Sequence, residues 1–158
     1  MGSISLMDVY RLANARRADD LTGTGARLTG GRWNFVGTPV LYTAGSRALA
    51  TLEVLVHSPA SYVPDFYQML TLLVPDDSLQ SVPLDSLPIG WNSLTPPDAI
   101  KTITQNWISE NHFLLLKVPS AVVAGDYNIL INPVHPRASE VVILDKRAYQ
   151  FDPRLLRQ

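Results

Sequence analysis

A chain of 158 residues, 46% hydrophobic and 17% charged, is long and apolar enough to bury one real core, so a single domain over residues 1–158 is expected. A net charge of −1 and a pI near 6.3 supply no basic field for nucleic acid, and no apolar run approaches the ~18 residues of a membrane span. The absence of cysteine excludes disulfides, thiolate chemistry and Cys-based zinc sites, and MGSISLMDVYR lacks a basic-then-apolar leader, so the expected location is the cytoplasm.

In chain order, Asp8 to Ala13 alternates as an edge strand would and leads into a glycine-rich polar loop over residues 14–31, ANARRADDLTGTGARLTGG being its neighbourhood. Arg32 to Asn34 is expected to resume as a short strand, and Val40 to Thr43 as a buried one after the Gly37-Thr38-Pro39 turn. Ser46 fits the N-cap of a helix from Arg47 to about His57, stopped by Ser58-Pro59. Phe66 to Val74 reads as a strand, and the prolines between Ser78 and Trp91 as an irregular connection. Thr95 before Pro96, Pro97 and Asp98 predicts a helix start, with Ile100, Ile103, Trp107 and Ile108 on one stripe. Phe113–Val118, Tyr127–Ile131 and Glu140–Leu144 complete the strands. Strands outnumber helices and cluster late, which predicts an α+β fold with a mixed sheet.

The helix ALATLEVLV carries one acid, Glu53. At about 100° per residue it lies roughly 40° from Leu49, at the edge of the apolar stripe. Two readings stand side by side. Glu53 is a boundary residue that snorkels to water or pairs with Arg47 or His57, or it is a carboxylate aimed into a cleft, where low dielectric strengthens its hold on a developing positive charge. The glycines of GTGARLTGG make no phosphate loop, because no G-K-[ST] follows and no strand–GxGxxG–helix unit surrounds them. His57, His112 and His135 lack the paired spacing of a metal site, so no metal is expected.

The string G-G-R-W-N-x-x-G followed by L-Y-T-A-x-S-x-A-L-A-x-L-E-x-L-x-H resembles the RES domain, the toxin half of bacterial RES–Xre toxin–antitoxin modules. Val118-Pro119-Ser120, Asn128 to Pro133 and Phe151-Asp152-Pro153-Arg154-Leu155 resemble its closing segments, so the likeness runs from about Tyr10 to Leu156. Phe35-Val36 and Thr43-Ala44 depart from the family's pattern beside the motif and leave its residues in place. The resemblance maps the family's arginine, glutamate and serine onto Arg32, Glu53 and Ser120. It implies a core like that of ADP-ribosyltransferase toxins and NAD+ as substrate, not as a resident cofactor, with phosphate as a possible co-substrate. The implied activity is that of an NAD+ phosphorylase or NAD+ glycohydrolase; transfer of ADP-ribose to a protein, or non-catalytic binding by the same fold, are the alternatives.

In that chemistry nicotinamide leaves as a neutral group while positive charge builds on the ribose, a state one carboxylate can stabilise. Glu53 is assigned that role, Arg11 and Arg32 the pyrophosphate through charge-assisted forks, and Tyr42 a ring packed on nicotinamide. Ser120 is expected to bond substrate or orient Glu53, and no neighbouring histidine suits it as a nucleophile. Each has a plainer alternative: a surface arginine on an indole for Arg32, a solvent-facing strand position for Arg11, core for Tyr42, a turn hydroxyl for Ser120. Asn128 and Asn132 are expected to be turn or ladder-end groups. The resemblance further implies an Xre-type helix-turn-helix antitoxin as partner, with a homodimer within a larger complex possible and no contact with nucleic acid or membrane by this chain. Arg16, Arg17 and Arg27 in the 14–31 loop are its expected contact surface.

Overall fold

The computed structural model describes residues 5–57 and 66–156. The expected helix stop at Ser58-Pro59 lies outside them. Seven strands form one sheet: β1 (Leu6–Asn14), β2 (Leu41–Ala44), β3 (Tyr67–Pro75), β4 (Leu79–Ser81), β5 (Leu115–Pro119), β6 (Tyr127–Ile131) and β7 (Val142–Tyr149). Their order across the sheet is β4-β5-β6-β2-β1-β3-β7. Among the described residues only β4 and β5 pair in parallel, so the sheet is mixed and the α+β expectation holds. Three α-helices accompany it, α1 (Thr24–Thr29), α2 (Arg47–His57) and α3 (Ala99–Glu110).

Strand alternation assigns the core to two faces. On one, Val9, Leu41, Leu70, Leu72, Leu115, Ile129 and Ile131 form a buried cluster. On the other, α3 presses Ile100 and Trp107 onto Leu116, Val118 and Leu130, while α2 presses Leu49 and Ala50 onto Leu12, Ala44 and Met69. Tyr42 and Asn128 belong to this helix-covered face by register: Tyr42 lies opposite Leu130, and Ala44 opposite Asn128. β1 joins β2 through the single pair Tyr10↔Ala44. Beyond it the two strands part, and the middle of the sheet opens.

Several expectations are corrected. β1 is an interior strand, paired along its whole length with β3. Its alternation reads as an edge because it borders the opening, where Arg11 can stay polar. The 14–31 loop contains α1, a six-residue helix with no buried residue and hence no apolar stripe to read. Glycines bound it at positive φ, 72° at Gly23 and 71° at Gly30. No strand forms at Arg32–Asn34. α3 begins at Ala99 and not after Thr95, because a residue preceding proline is held out of the α region and two prolines stand in succession. The connection after Ser78 is not wholly irregular: it holds β4 and a 3-10 turn over Leu84–Ser86. β7 runs on to Tyr149; its far half is a charged, exposed edge without apolar alternation, held by pairing with β3. Ser46 caps α2 as expected, its Oγ accepting from the Leu49 N–H at 3.1 Å.

Candidate functional site

The opening between β1 and β2 is a cleft of about 670 Å³. Arg11 and Asn14 of β1, Tyr42 of β2, Glu53 and His57 of α2, Asn128 of β6 and Arg32 before β2 all face it. Ser120 does not; its neighbour Ala121 does. The Ser120 hydroxyl instead accepts from the N–H groups of Val122 and Val123, at 3.1 and 3.0 Å, closing the β5–β6 turn. It lines a second hollow beside Trp91, Lys117 and Tyr127.

Glu53 has a side-chain exposure of 25%, between core and solvent. Burial raises its pKa above the usual carboxylate range, against the Asn128 amide, His57 and Arg32, which favour the charged form. His57 Nε2, one helical turn on, lies 4.0 Å from Oε2. Arg47 is not its partner; that guanidinium sits 4.6 Å above the Tyr10 ring and reaches Thr71. Asn128, expected as a ladder-end group, is a site residue. Its Nδ2 donates to the Thr43 carbonyl at 3.2 Å, which aims the amide across the cleft at Glu53. The signal was available in the sequence: Asn128 is the polar position on the Leu130 face of an otherwise apolar strand. Asn132, by contrast, is fully buried and structural, donating to Asn111 and accepting from the Val134 N–H.

Arg32 is half-buried, and its Nη1 donates to the carbonyls of Trp91 and Ser93 at 2.9 and 2.8 Å. The 88–93 turn is thereby latched to the cleft wall, a contact with no signal in the sequence because only main-chain oxygens receive it. Nε and Nη2 remain for a ligand. Trp33 is core, 3% exposed and 6.3 Å from the Trp91 ring. Arg11 donates to the carbonyls of Ala18 and Arg17, at 2.8 and 3.3 Å, folding the 14–23 segment back over the cleft. Burial lowers its pKa and Asp20 opposes the shift. Tyr42 is held well above the usual phenol range, by burial first. Its hydroxyl donates to Asn34 Oδ1 at 2.6 Å and accepts from the Trp33 N–H at 3.1 Å. Asn34, quoted within the R-W-N motif without a role, is therefore a further residue of the site. No cluster of metal-ligating side chains occurs among the described residues.

The arrangement unites a half-buried carboxylate, two guanidinium groups and an aromatic wall around an open slot. It suits a ligand that carries both anionic groups and a site of developing positive charge.

Comparison with known proteins places the chain. The RES domain family model matches residues 8–152. The "Prs ADP-ribosylating toxin" of Sphingobium sp. (strain YBL2) is 38% identical over 94% of this chain and 96% of its own length. A "Toxin Res" of Photorhabdus laumondii is 33% identical over 96% and 98%. Among solved structures, the M. tuberculosis MbcT–MbcA toxin–antitoxin complex contains a chain with the same fold, at a TM-score of 0.78 and 20% identity over 97% of this chain and 88% of that one. The chain belongs to the RES domain family.

Proposed function

We propose that this chain is a toxin of a toxin–antitoxin module that breaks the nicotinamide–ribose bond of NAD+. Glu53 carries the reading: a carboxylate half-withdrawn from water, lacking a close lysine or arginine ion pair among the described residues, faces the cleft beside Arg32 and Tyr42. Held there, it stabilises the positive charge that builds on the ribose as neutral nicotinamide departs. Arg32 and Arg11 suit the pyrophosphate, and Tyr42 offers its ring to nicotinamide. Phosphate or water completes the reaction at the ribose carbon, giving phosphorolysis or hydrolysis. Ser120 supports the turn that carries Ala121 and acts on substrate at most through it. Transfer of ADP-ribose to a protein is the second reading, favoured by the name of the Sphingobium relative.

An enzyme that drains NAD+ harms its own cell unless restrained, which requires an antitoxin; the Xre type is the expected one, in the cytoplasm. The purified protein with NAD+ and phosphate should release nicotinamide. Release no faster than without protein, from folded material, removes the activity. NAD+ labelled in its ADP-ribose part separates the readings: label in small products supports degradation, label on a macromolecule supports transfer.

A further inference from the structure

Asn34 is 1% exposed, and its whole amide is engaged. Nδ2 donates to the carbonyls of Ala26, Thr38 and Phe35 at 2.9, 3.1 and 3.2 Å, its two protons shared among the three. The first of these lies in α1; the other two belong to the turn that precedes β2. An amide whose nitrogen is surrounded by carbonyl oxygens cannot turn over without setting oxygen against oxygen, so Oδ1 is fixed as an acceptor. The Tyr42 hydroxyl at 2.6 Å must then be the donor. Because that hydroxyl also accepts from the Trp33 N–H, both of its hydrogen-bonding roles are spent inside the protein. The main chain is pressed against the pair. A Cβ on Gly31 would stand 2.8 Å from the Tyr42 hydroxyl and 2.9 Å from Asn34 Oδ1, closer than any side chain is tolerated. The Gly31 N–H donates to the Asn34 carbonyl at 3.2 Å.

We propose that Asn34 is the positioning residue of the cleft: by accepting the hydrogen bond of the Tyr42 hydroxyl it holds that ring in one pose as a planar wall for the nicotinamide ring, and it thereby keeps Tyr42 out of acid–base chemistry. The proposal deepens the NAD+ reading and rests on it for the identity of the planar ligand. Burial of the phenol points the same way, since it disfavours the phenolate. An unlocked ring would have to be ordered by each incoming substrate, so loss of the lock weakens binding more than it slows the chemical step.

The test combines kinetics with a spectrum that needs no turnover. Asn34→Ala and Tyr42→Phe should each raise KM for NAD+ by about 10-fold while kcat changes by less than about 3-fold, the signature of lost ground-state ordering. The double variant should be no worse than the poorer single one, because both remove the same bond. Tyr42→Phe should leave the shape of the pH profile unchanged. Additive effects, an unchanged KM in both variants, or a displaced pH limb in Tyr42→Phe would overturn the proposal. Independently, in protein labelled with ¹³C at the tyrosine ζ carbon, the Tyr42 signal (assigned by its absence in Tyr42→Phe) should lie apart from that of free tyrosine and stay fixed across the pH range of activity, because its hydroxyl remains a bonded phenol. Asn34→Ala, which removes the acceptor, should move that signal toward the free-tyrosine position. Should Asn34→Ala fail to fold, the wild type still decides: a signal at the free-tyrosine position, or one that titrates within the pH range of activity, refutes the lock. If the wild type releases no nicotinamide, the NAD+ reading fails while the spectrum still reports on the ring.

Discussion

Glu53 sits where its charge costs stability, and the cost has a measurable sign. Its folded-state pKa is raised, so the folded chain holds that proton more tightly than the unfolded chain does. The resulting stability is present in full below the ordinary glutamate range and is lost as pH rises through the raised value. Glu53→Gln removes the charge while keeping an oxygen for Asn128. At about pH 7 the variant should therefore melt at or above the wild-type temperature, the gap narrowing toward ~pH 4. Its NAD+ turnover should fall by about 100-fold or more, as when one preorganised transition-state group is lost. A variant that is both less stable and fully active would return Glu53 to the role of a boundary residue. The same shift sets the acid limb of the wild-type rate profile. kcat/KM should decline as pH falls through a value above the usual glutamate range, and a limb at or below that range would show an unperturbed carboxylate. At this scale much was legible: an acid beside an apolar stripe and the R-W-N block pointed to Glu53, Arg32 and Tyr42. Asn128 at the end of a strand reads as a turn or ladder-end group and Asn34 as part of a short strand, and only the folded chain shows which carbonyls turn their amides.

Among the elements, α2 is the one on which the carboxylate depends, since Glu53 and His57 lie on successive turns of it. Ser46 begins this helix and sets the phase in which those side chains emerge. Ser46→Ala should cost about 1 kcal/mol, a fall of roughly 2–4 °C in melting temperature for a domain of this size. An unchanged melting temperature would mean that water replaces the cap without loss. Cap, stripe and length were all present in the sequence, so α2 was read with its true start. α1 escaped notice because six residues between glycines bury nothing, and periodicity reports only what is buried. A capping threonine before two prolines predicts too early a start for α3, because the prolines restrict the backbone ahead of Ala99. β1 was mistaken for an edge because the sequence records polarity, and a strand bordering a cleft is as polar on one side as a strand bordering solvent.

At the scale of the molecule, arginines gather at the cleft rim with Asp20 among them. Arg17 lines the opening, and Arg16 and Arg27 are exposed near it. A bonded frame surrounds them: Arg11 ties the loop inward, and Lys146 of β7 bonds Asp19 at 2.9 Å. An antitoxin segment ending in acidic residues would meet this rim and compete with the pyrophosphate. Inhibition should therefore weaken as NAD+ rises, and reversing Arg16, Arg17 and Arg27 to glutamate should loosen the complex. Inhibition independent of NAD+, with the reversed rim bound as tightly as before, would place control elsewhere on the surface.

The sheet is assembled out of chain order, and that bears on when the protein can act at all. β6 fills the place between β5 and β2, so β2 has no partner on that side until residues 127–131 exist. The amide that Asn128 directs at Glu53 is anchored to a carbonyl 85 residues earlier in the chain. Until the ribosome has made residue 131, the cleft therefore lacks a wall and one of its polar groups. A message cut short before that point should yield a chain without the proposed activity. If the proposed toxin reading holds, the time taken to reach that point is a grace period in which an inhibitor can already be waiting.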